Sequence, residues 1–342
     1  MLSDDFSGPV LPSRDDVVIV RVRVPGGRVR AAQWEVLADL CEEFGDGRLY
    51  LTSRGNLQIR GVRDAQGLVA RLAEAGLGWA PSVMCSPLSP GLGGLVNALV
   101  AAVPQSERVF GVDGGDGSII AERPEVGLLC VGDDQFQVVL VGEPTGLVVE
   151  ASTVGSLAEL VEAHGHDAEV LVPHVEGLVS GRCEAVVPSP PVLSAPIGWM
   201  QEGDVVSLGA GLKLGQLDSR LARFLAAIET DTWITPWNSL VIHGLVDGVA
   251  DQVVKVLAPM GLIFDAASPW LRVSACAGAP ACLEAHADVR SDLELALGTG
   301  QLSAVEGHVH FSGCERRCGH PVMPHREYQA TVDEDYEVFE RQ

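Results

Sequence analysis

The stretch Thr52-Ser53-Arg54-Gly55-Asn56-Leu57-Gln58-Ile59-Arg60-Gly61-Val62 returns without gaps as Thr235-Pro236-Trp237-Asn238-Ser239-Leu240-Val241-Ile242-His243-Gly244-Leu245, with Thr, Leu, Ile and Gly at matched places. A duplicated unit dictates the architecture, because both copies must bury the same apolar face. Upstream of the first copy, Val17 to Val24 alternates apolar and basic residues, the period of a strand, and Pro25-Gly26-Gly27 makes a turn. Trp34, Leu37 and Leu40 follow at helical spacing, and Thr52 to Val62 reads as the next strand. The second copy repeats this order. Val205 to Leu212 is its strand, Leu217, Leu221, Phe224 and Leu225 mark a helical apolar face, and Ile234 to Leu245 closes the unit.

Between the copies the pattern predicts a helix over Leu92 to Val103, a hairpin of Val126 to Val131 with Phe136 to Val141, and a helix near Leu157 to His164. Pro188 to Pro196 reads as a proline-rich linker. After the second copy, a helix is expected from Leu283 to Leu297, a strand from Gly307 to Phe311, and a last hairpin of Tyr328 to Val332 with Tyr336 to Phe339. The chain therefore divides as module, core, module, core: residues 1–78, 79–194, 195–263 and 264–342. The expected class is α+β with approximate two-fold internal symmetry.

Cysteine spacing carries the chemistry. Cys276-Ala-Gly-Ala-Pro-Ala-Cys282 is followed by Cys314-Glu-Arg-Arg-Cys318. A cubane cluster needs four soft ligands on loops wide enough to wrap an inorganic core, with small residues that let backbone N–H groups approach sulfur. Ala277 to Ala281, and the flanking Gly313 and Gly319, supply such loops. A structural zinc site is the competing reading, although zinc fingers prefer tighter spacing in both pairs. The isolated Cys41, Cys85, Cys130 and Cys183 read as small buried hydrophobes.

The remaining composition narrows the setting. Eight cysteines behind an N-terminus, Met1 to Arg14, without a basic start and apolar run suggest a reducing, cytoplasmic location. The longest apolar stretch, Gly91 to Val103, is too short to span a bilayer and contains Asn97. A net charge of -23 argues against nucleic acid or an anionic membrane as partner.

The cysteine quartet in its Gly-Cys-x-x-x-Cys-Gly setting, together with Leu51 to Gly61, resembles the nitrite/sulfite reductase family over nearly the whole chain. The resemblance implies two ferredoxin-like half-modules, two core regions and a [4Fe-4S] cluster on Cys276, Cys282, Cys314 and Cys318. Cys318 is placed where the family bridges its cluster to sirohaem. Within the family the chain is most similar to the precorrin-3B synthases. Its length, its Thr235-Pro236-Trp237 turn and its Gly319-His320-Pro321 ending favour that branch, while Asn238 departs from the Arg expected there. The stretches Pro81 to Pro87 and Val126 to Val131 lack the basic residues that clamp sirohaem in the reductases.

The resemblance implies oxygen-dependent hydroxylation and lactone formation turning precorrin-3A into precorrin-3B in cobalamin biosynthesis, with an electron-donating reductase or ferredoxin as partner. Such a tetrapyrrole carries many carboxylates, which guanidinium groups grip through paired hydrogen bonds. Arg21 and Arg23 share one strand face, and Arg54, Gln58 and Arg60 another, so they are expected to form a basic substrate floor. The synthases are also associated with a mononuclear non-haem iron. For its ligands His286, on the helix expected after Cys282, and His320 are the candidates, with His308 and His310 together on a strand face nearby. Arg316 and Arg317 offer a local basic patch for an electron donor. The competing functions are sirohaem-dependent nitrite or sulfite reduction, and an iron-sulfur electron carrier.

Overall fold

Both copies of the repeat fold as a hairpin closed by the same turn. In the computed structural model, which describes residues 8–12, 17–188, 195–333 and 335–341, Arg48–Leu51 pairs antiparallel with Leu57–Val62. Thr232–Ile234 pairs in the same way with Ser239–Leu245. Thr52 N donates to Asn56 O at 3.0 Å, and the aligned Thr235 N donates to Ser239 O at 2.9 Å. Each turn demands a left-handed residue, met by Gly55 at φ 66° and by Asn238 at φ 50°. Glycine adopts this region freely and asparagine tolerates it, which accounts for Asn238 where Arg was expected. The sequence reading of Thr52–Val62 as one strand is thereby corrected: residues 52–56 make the turn, as 235–238 do in the second copy.

The match continues along the strand. The two-residue step from Val18 to Val20 faces the three-residue step from Val62 to Ile59, and the step from Val206 to Leu208 faces that from Leu245 to Ile242 with the same extra residue. Each bulge holds a glycine with positive φ, Gly61 at 73° and Gly244 at 76°.

The two modules then exchange edges. One sheet runs Val10–Pro12, Val18–Val22, Leu57–Val62, Arg48–Leu51 and finally Gln216–Asp218 from the second module. Its counterpart runs Gly198–Glu202, Val205–Leu212, Ser239–Leu245, Thr232–Ile234 and finally Arg28–Val29 from the first. The chain enters each exchanged strand through a short 3-10 turn, Pro25–Gly27 or Lys213–Gly215. A Cβ on Gly27 would lie 2.1 Å from Ile234 O, so this crossing admits only glycine. Leu217 consequently sits on an exchanged strand rather than on the helix Ser219–Ala227 that follows.

Exchange merges the apolar faces into one core, in which Val20, Trp34, Leu37, Leu57 and Ile59 pack with Leu208, Leu225, Leu240 and Ile242. Trp34 is fully buried and its Nε1 donates to Thr232 Oγ1 of the other module at 2.7 Å. On the surface, Arg223 bridges to Asp39 and Glu42 at 2.8 Å each, joining the helices Ser219–Ala227 and Ala31–Phe44.

Two further sheets carry the rest. Ser82–Cys85, Val109–Asp113 and Val126–Gly132 run parallel, and Gln135–Leu140, Glu143–Glu150 and Val179–Arg182 extend them antiparallel. The expected hairpin and the helices Gly93–Ala102 and Val154–His164 lie on this unit. The last sheet is Val273–Ala275, His308–Ser312, His325–Ala330 and Tyr336–Arg341, backed by the helix Val289–Gly298. The class is α+β. That last helix begins later than the expected Leu283: Asp288 caps it by accepting from Ser291 N at 3.2 Å, and residues 283–287 form a loop instead. Most of the proline-rich stretch, residues 189–194, lies outside the described residues, as does most of Met1 to Arg14.

Candidate functional site

The four cysteines of the quartet are delivered by two neighbouring strands. Val273–Ala275 and His308–Ser312 pair in parallel with Ala275 opposite Phe311, so Cys276 and Cys314 emerge from the same end of the sheet. Cys276 and Cys314 are buried, while Cys282 and Cys318 are half-buried on the loops that follow. The Cys318 sulfur feels the charge of Cys276, Cys314 and Cys282. Burial pushes the Cys276 and Cys314 thiols up and Cys318 to about 11. Ligation must therefore expel protons that these thiols hold in its absence.

The loops suit a cluster. Gly313 N donates to Cys276 Sγ at 3.1 Å, a backbone N–H aimed at a ligand sulfur. A Cβ on Gly313 would sit 2.7 Å from Ala285 Cβ, and one on Gly278, at φ 67°, would sit 2.8 Å from Val289 Cγ2. Among the described residues, no three His, Cys, Asp or Glu side chains close on one point as a single ion requires.

Of the five residues expected on a basic floor, Arg21, Arg23 and Arg60 are buried. Arg21 stands opposite Gln58 on the paired strand. Arg21, Arg23 and Arg60 are 8%, 6% and 8% exposed, which separates them from the solvated arginines that guard a sheet edge. Arg23 lies over the Trp79 ring at 4.5 Å and Arg60 over the Tyr50 ring at 3.9 Å. Arg60 Nη2 donates to Gln58 Oε1 at 3.2 Å, while its Nε is buried with no acceptor among the described residues. Arg54 corrects the expectation: it lies in the turn, not on the strand face, and its Nη1 donates to Glu122 O at 2.9 Å.

The histidines regroup. His286 is exposed on the loop 283–287, with its N–H on Gly313 O at 2.8 Å, so it does not project from a helix as expected. His320 lies 6.0 Å from His325, which lies 6.2 Å from His310. His308 Nε2 and His310 Nδ1 share Ser274 Oγ at 3.0 and 2.8 Å, confirming their common face. Burial pushes His308 down to about 4 and His310 well below the usual imidazole range, so both are neutral. The basic patch also changes meaning. Arg317 is bound at 2.6 Å to the fully buried Glu327, which Arg341 and Ser312 also bond, and Arg316 faces Glu284 at 3.5 Å.

Sequence reasoning missed Arg290. From the second position of the helix Val289–Gly298, its Nε donates to Cys276 O at 3.1 Å and its Nη1 to Leu214 O at 3.2 Å. It missed Glu122 as well, whose carboxyl accepts from Trp237 Nε1 at 2.6 Å and is raised by burial against that bond. No spacing ties either residue to the motifs.

Residues 11–75 match the nitrite/sulfite reductase ferredoxin-like half domain. NirA of Mycobacterium tuberculosis superposes with a TM-score of 0.72 at 18% identity, over 94% of this chain and 74% of that one. Residues 11–75 thus carry the half domain that nitrite and sulfite reductases share, and the chain as a whole shares the fold of NirA. The precorrin-3B synthase of a Sinorhizobium species is 24% identical over 90% of this chain and 76% of its own length. The ferredoxin–nitrite reductase of Leptolyngbya laminosa is 40% identical over 62 residues, 17% of this chain and 12% of that enzyme. Among the described residues, no helix is long and apolar enough to cross a membrane.

Proposed function

We propose that this chain is an oxidoreductase of the precorrin-3B synthase type, holding a [4Fe-4S] cluster on Cys276, Cys282, Cys314 and Cys318. The observation that carries the reading is coverage: the synthase aligns over 90% of the chain, whereas the reductases match segments of 13–17%. The reaction would place one atom of dioxygen on precorrin-3A and close a lactone, the other atom leaving as water with two electrons and two protons from a donor.

When bound, the cluster supplies one-electron transfer. The thiols of the quartet are its ligands, and Gly313 N–H stabilises charge on Cys276 Sγ. Arg21, Arg23 and Arg60 bind the carboxylates of the substrate from the sheet floor, where burial strengthens each bond. Gln58 holds the Arg60 fork, and Arg54 fixes the backbone at Glu122 beside it. For the mononuclear iron of the synthases the candidates are His320, whose ring lies 6.0 Å from that of His325, and His286 on its exposed loop; among the described residues no third ligand closes on either.

Anaerobic purification with iron, sulfide, zinc and absorption measurements, with and without precorrin-3A and oxygen, tests this. About four sulfides with additional iron and no haem band support it. A sirohaem band moves the assignment to nitrite or sulfite reduction, the reading favoured by the reductase-like segment in residues 11–75. Failure to bind any tetrapyrrole leaves an electron carrier, and zinc without sulfide removes the cluster.

A further inference from the structure

The duplication exposes an asymmetry at the cluster. The turns that lead into the exchanged strands are equivalent, yet the left-handed residue is Gly26 in the first, at φ 68°, and Leu214 in the second, at φ 50°. A leucine in this conformation costs about 1–2 kcal/mol. Two contacts offset that cost. The Leu214 side chain is buried in the apolar core that also holds Cys276 and Val289, and its carbonyl accepts from Arg290.

The same guanidinium reaches three acceptors: Leu214 O, Gln216 Oε1 at 3.4 Å and Cys276 O at 3.1 Å. None of these is a carboxylate. Arg290 also stands 5.4 Å from the Tyr50 ring, whose other guanidinium neighbour, at 3.9 Å, is Arg60 of the substrate floor. One cation thus touches the loop of a cluster ligand, the strand exchange and the floor.

We propose that Arg290 is a positioning residue for the iron-sulfur cluster: it clamps the Cys276 loop onto the second module and holds a positive charge there that raises the cluster's reduction potential. This rests on the cluster assignment above. A fixed cation favours the more negative, reduced state, and net charge and hydrogen bonding around the ligands set such potentials. Lysine keeps the charge but loses the planar fork, and glutamine loses the charge.

The test uses the full chain, reconstituted anaerobically, with Arg290→Gln and Arg290→Lys beside the unsubstituted protein. Iron and sulfide are counted, and the one-electron reduction of the cluster by dithionite is followed by absorption and electron spin resonance. In Arg290→Gln the reduced-to-oxidised ratio at a given potential should fall about tenfold, about 59 mV for a one-electron couple. Arg290→Lys should stay within about twofold of the unsubstituted protein. If Arg290→Gln folds but loads no cluster while Arg290→Lys loads it, the proposal also stands. It is overturned if Arg290→Gln loads and titrates at the unsubstituted potential, or if both variants are shifted or depleted alike. An unsubstituted chain that takes up no sulfide overturns the cluster assignment itself, and this proposal with it.

Discussion

Arg54 and Trp237 occupy the same place in the two copies of the repeat and meet on one residue: Arg54 Nη1 donates to Glu122 O at 2.9 Å and Trp237 Nε1 to Glu122 Oε1 at 2.6 Å. The two turns therefore close on the first core region from both sides of the pseudo-axis. Removing the indole donor leaves a buried carboxyl short of a partner, which costs about 1–3 kcal/mol. Trp237→Phe should destabilise by about 2 kcal/mol in urea unfolding at pH 7. Combined with Glu122→Gln, it should cost less than the two changes summed, by about 1 kcal/mol, because the second change removes the charge left stranded. Strict additivity would show that the bond carries no energy.

Asp113 makes a second such prediction. It is fully buried at the end of Val109–Asp113, and its two oxygens accept from the backbone N–H groups of Gly115, Gly117, Ile119 and Ile120 at 2.8–3.2 Å. Asp113→Ala strands these donors in a dry loop. The expected loss is about 3–5 kcal/mol, read as a lower urea midpoint, with Asp113→Asn intermediate.

Much of this arrangement was legible. The repeat matched because turn, bulge and core positions recur in register, and the cysteine spacing survives folding because both pairs follow neighbouring strands. Other features left no trace. Arg28–Val29 and Gln216–Asp218 are too short for a two-residue period to register, and their partners lie far off in sequence. The helix expected at Leu283 was misplaced because Leu283 and Ala285 imitate an apolar face, whereas Leu283 is 51% exposed and Ala285 is held against Gly313. Arg54 was put on a strand because nothing local distinguishes a turn residue from the strand it joins until Gly55 turns left-handed.

The proposed cluster ligation gives a clean contrast among cysteines. Serine at Cys276, Cys282, Cys314 or Cys318 should abolish sulfide uptake on anaerobic reconstitution or reduce it severely, because soft thiolates hold the cluster. Cys130→Ser and Cys183→Ser, on half-buried cysteines elsewhere, should retain it. Uptake that survives at all four positions would refute the assignment.

The proposed substrate floor predicts a graded loss. Arg60→Met keeps the apolar stem that lies over Tyr50 but deletes the buried fork. A charge-assisted bond of about 1.5–3 kcal/mol corresponds to roughly 10- to 100-fold weaker binding of a tetrapyrrole polycarboxylate, measured by absorption titration. Arg28→Met, which breaks a bridge to Asp231 at a more exposed site, should leave affinity within about twofold. Equal losses in the two variants would point to net charge rather than to the floor.

The histidine group makes stability fall in acid. Burial holds His308 at about 4 and His310 lower still in the folded chain, against about 6.5 when unfolded. Between these values the unfolded state binds the extra protons, so stability is intact above pH 6.5 and declines as pH falls toward 4. Each histidine contributes up to about 1.4 kcal/mol per pH unit, less for His308 because it is only partly shielded from solvent. Ser274 offers its one hydroxyl to both rings, while burial first, with Arg272 beside His308 and Arg317 beside His310 adding to it, disfavours their charged forms. His308→Gln removes one titrating ring, so urea midpoints of the cluster-free chain taken from pH 7.5 to pH 5 should fall less steeply in that variant. Parallel pH profiles for the two proteins would show that His308 is not among the groups that buried neutrality makes acid-sensitive.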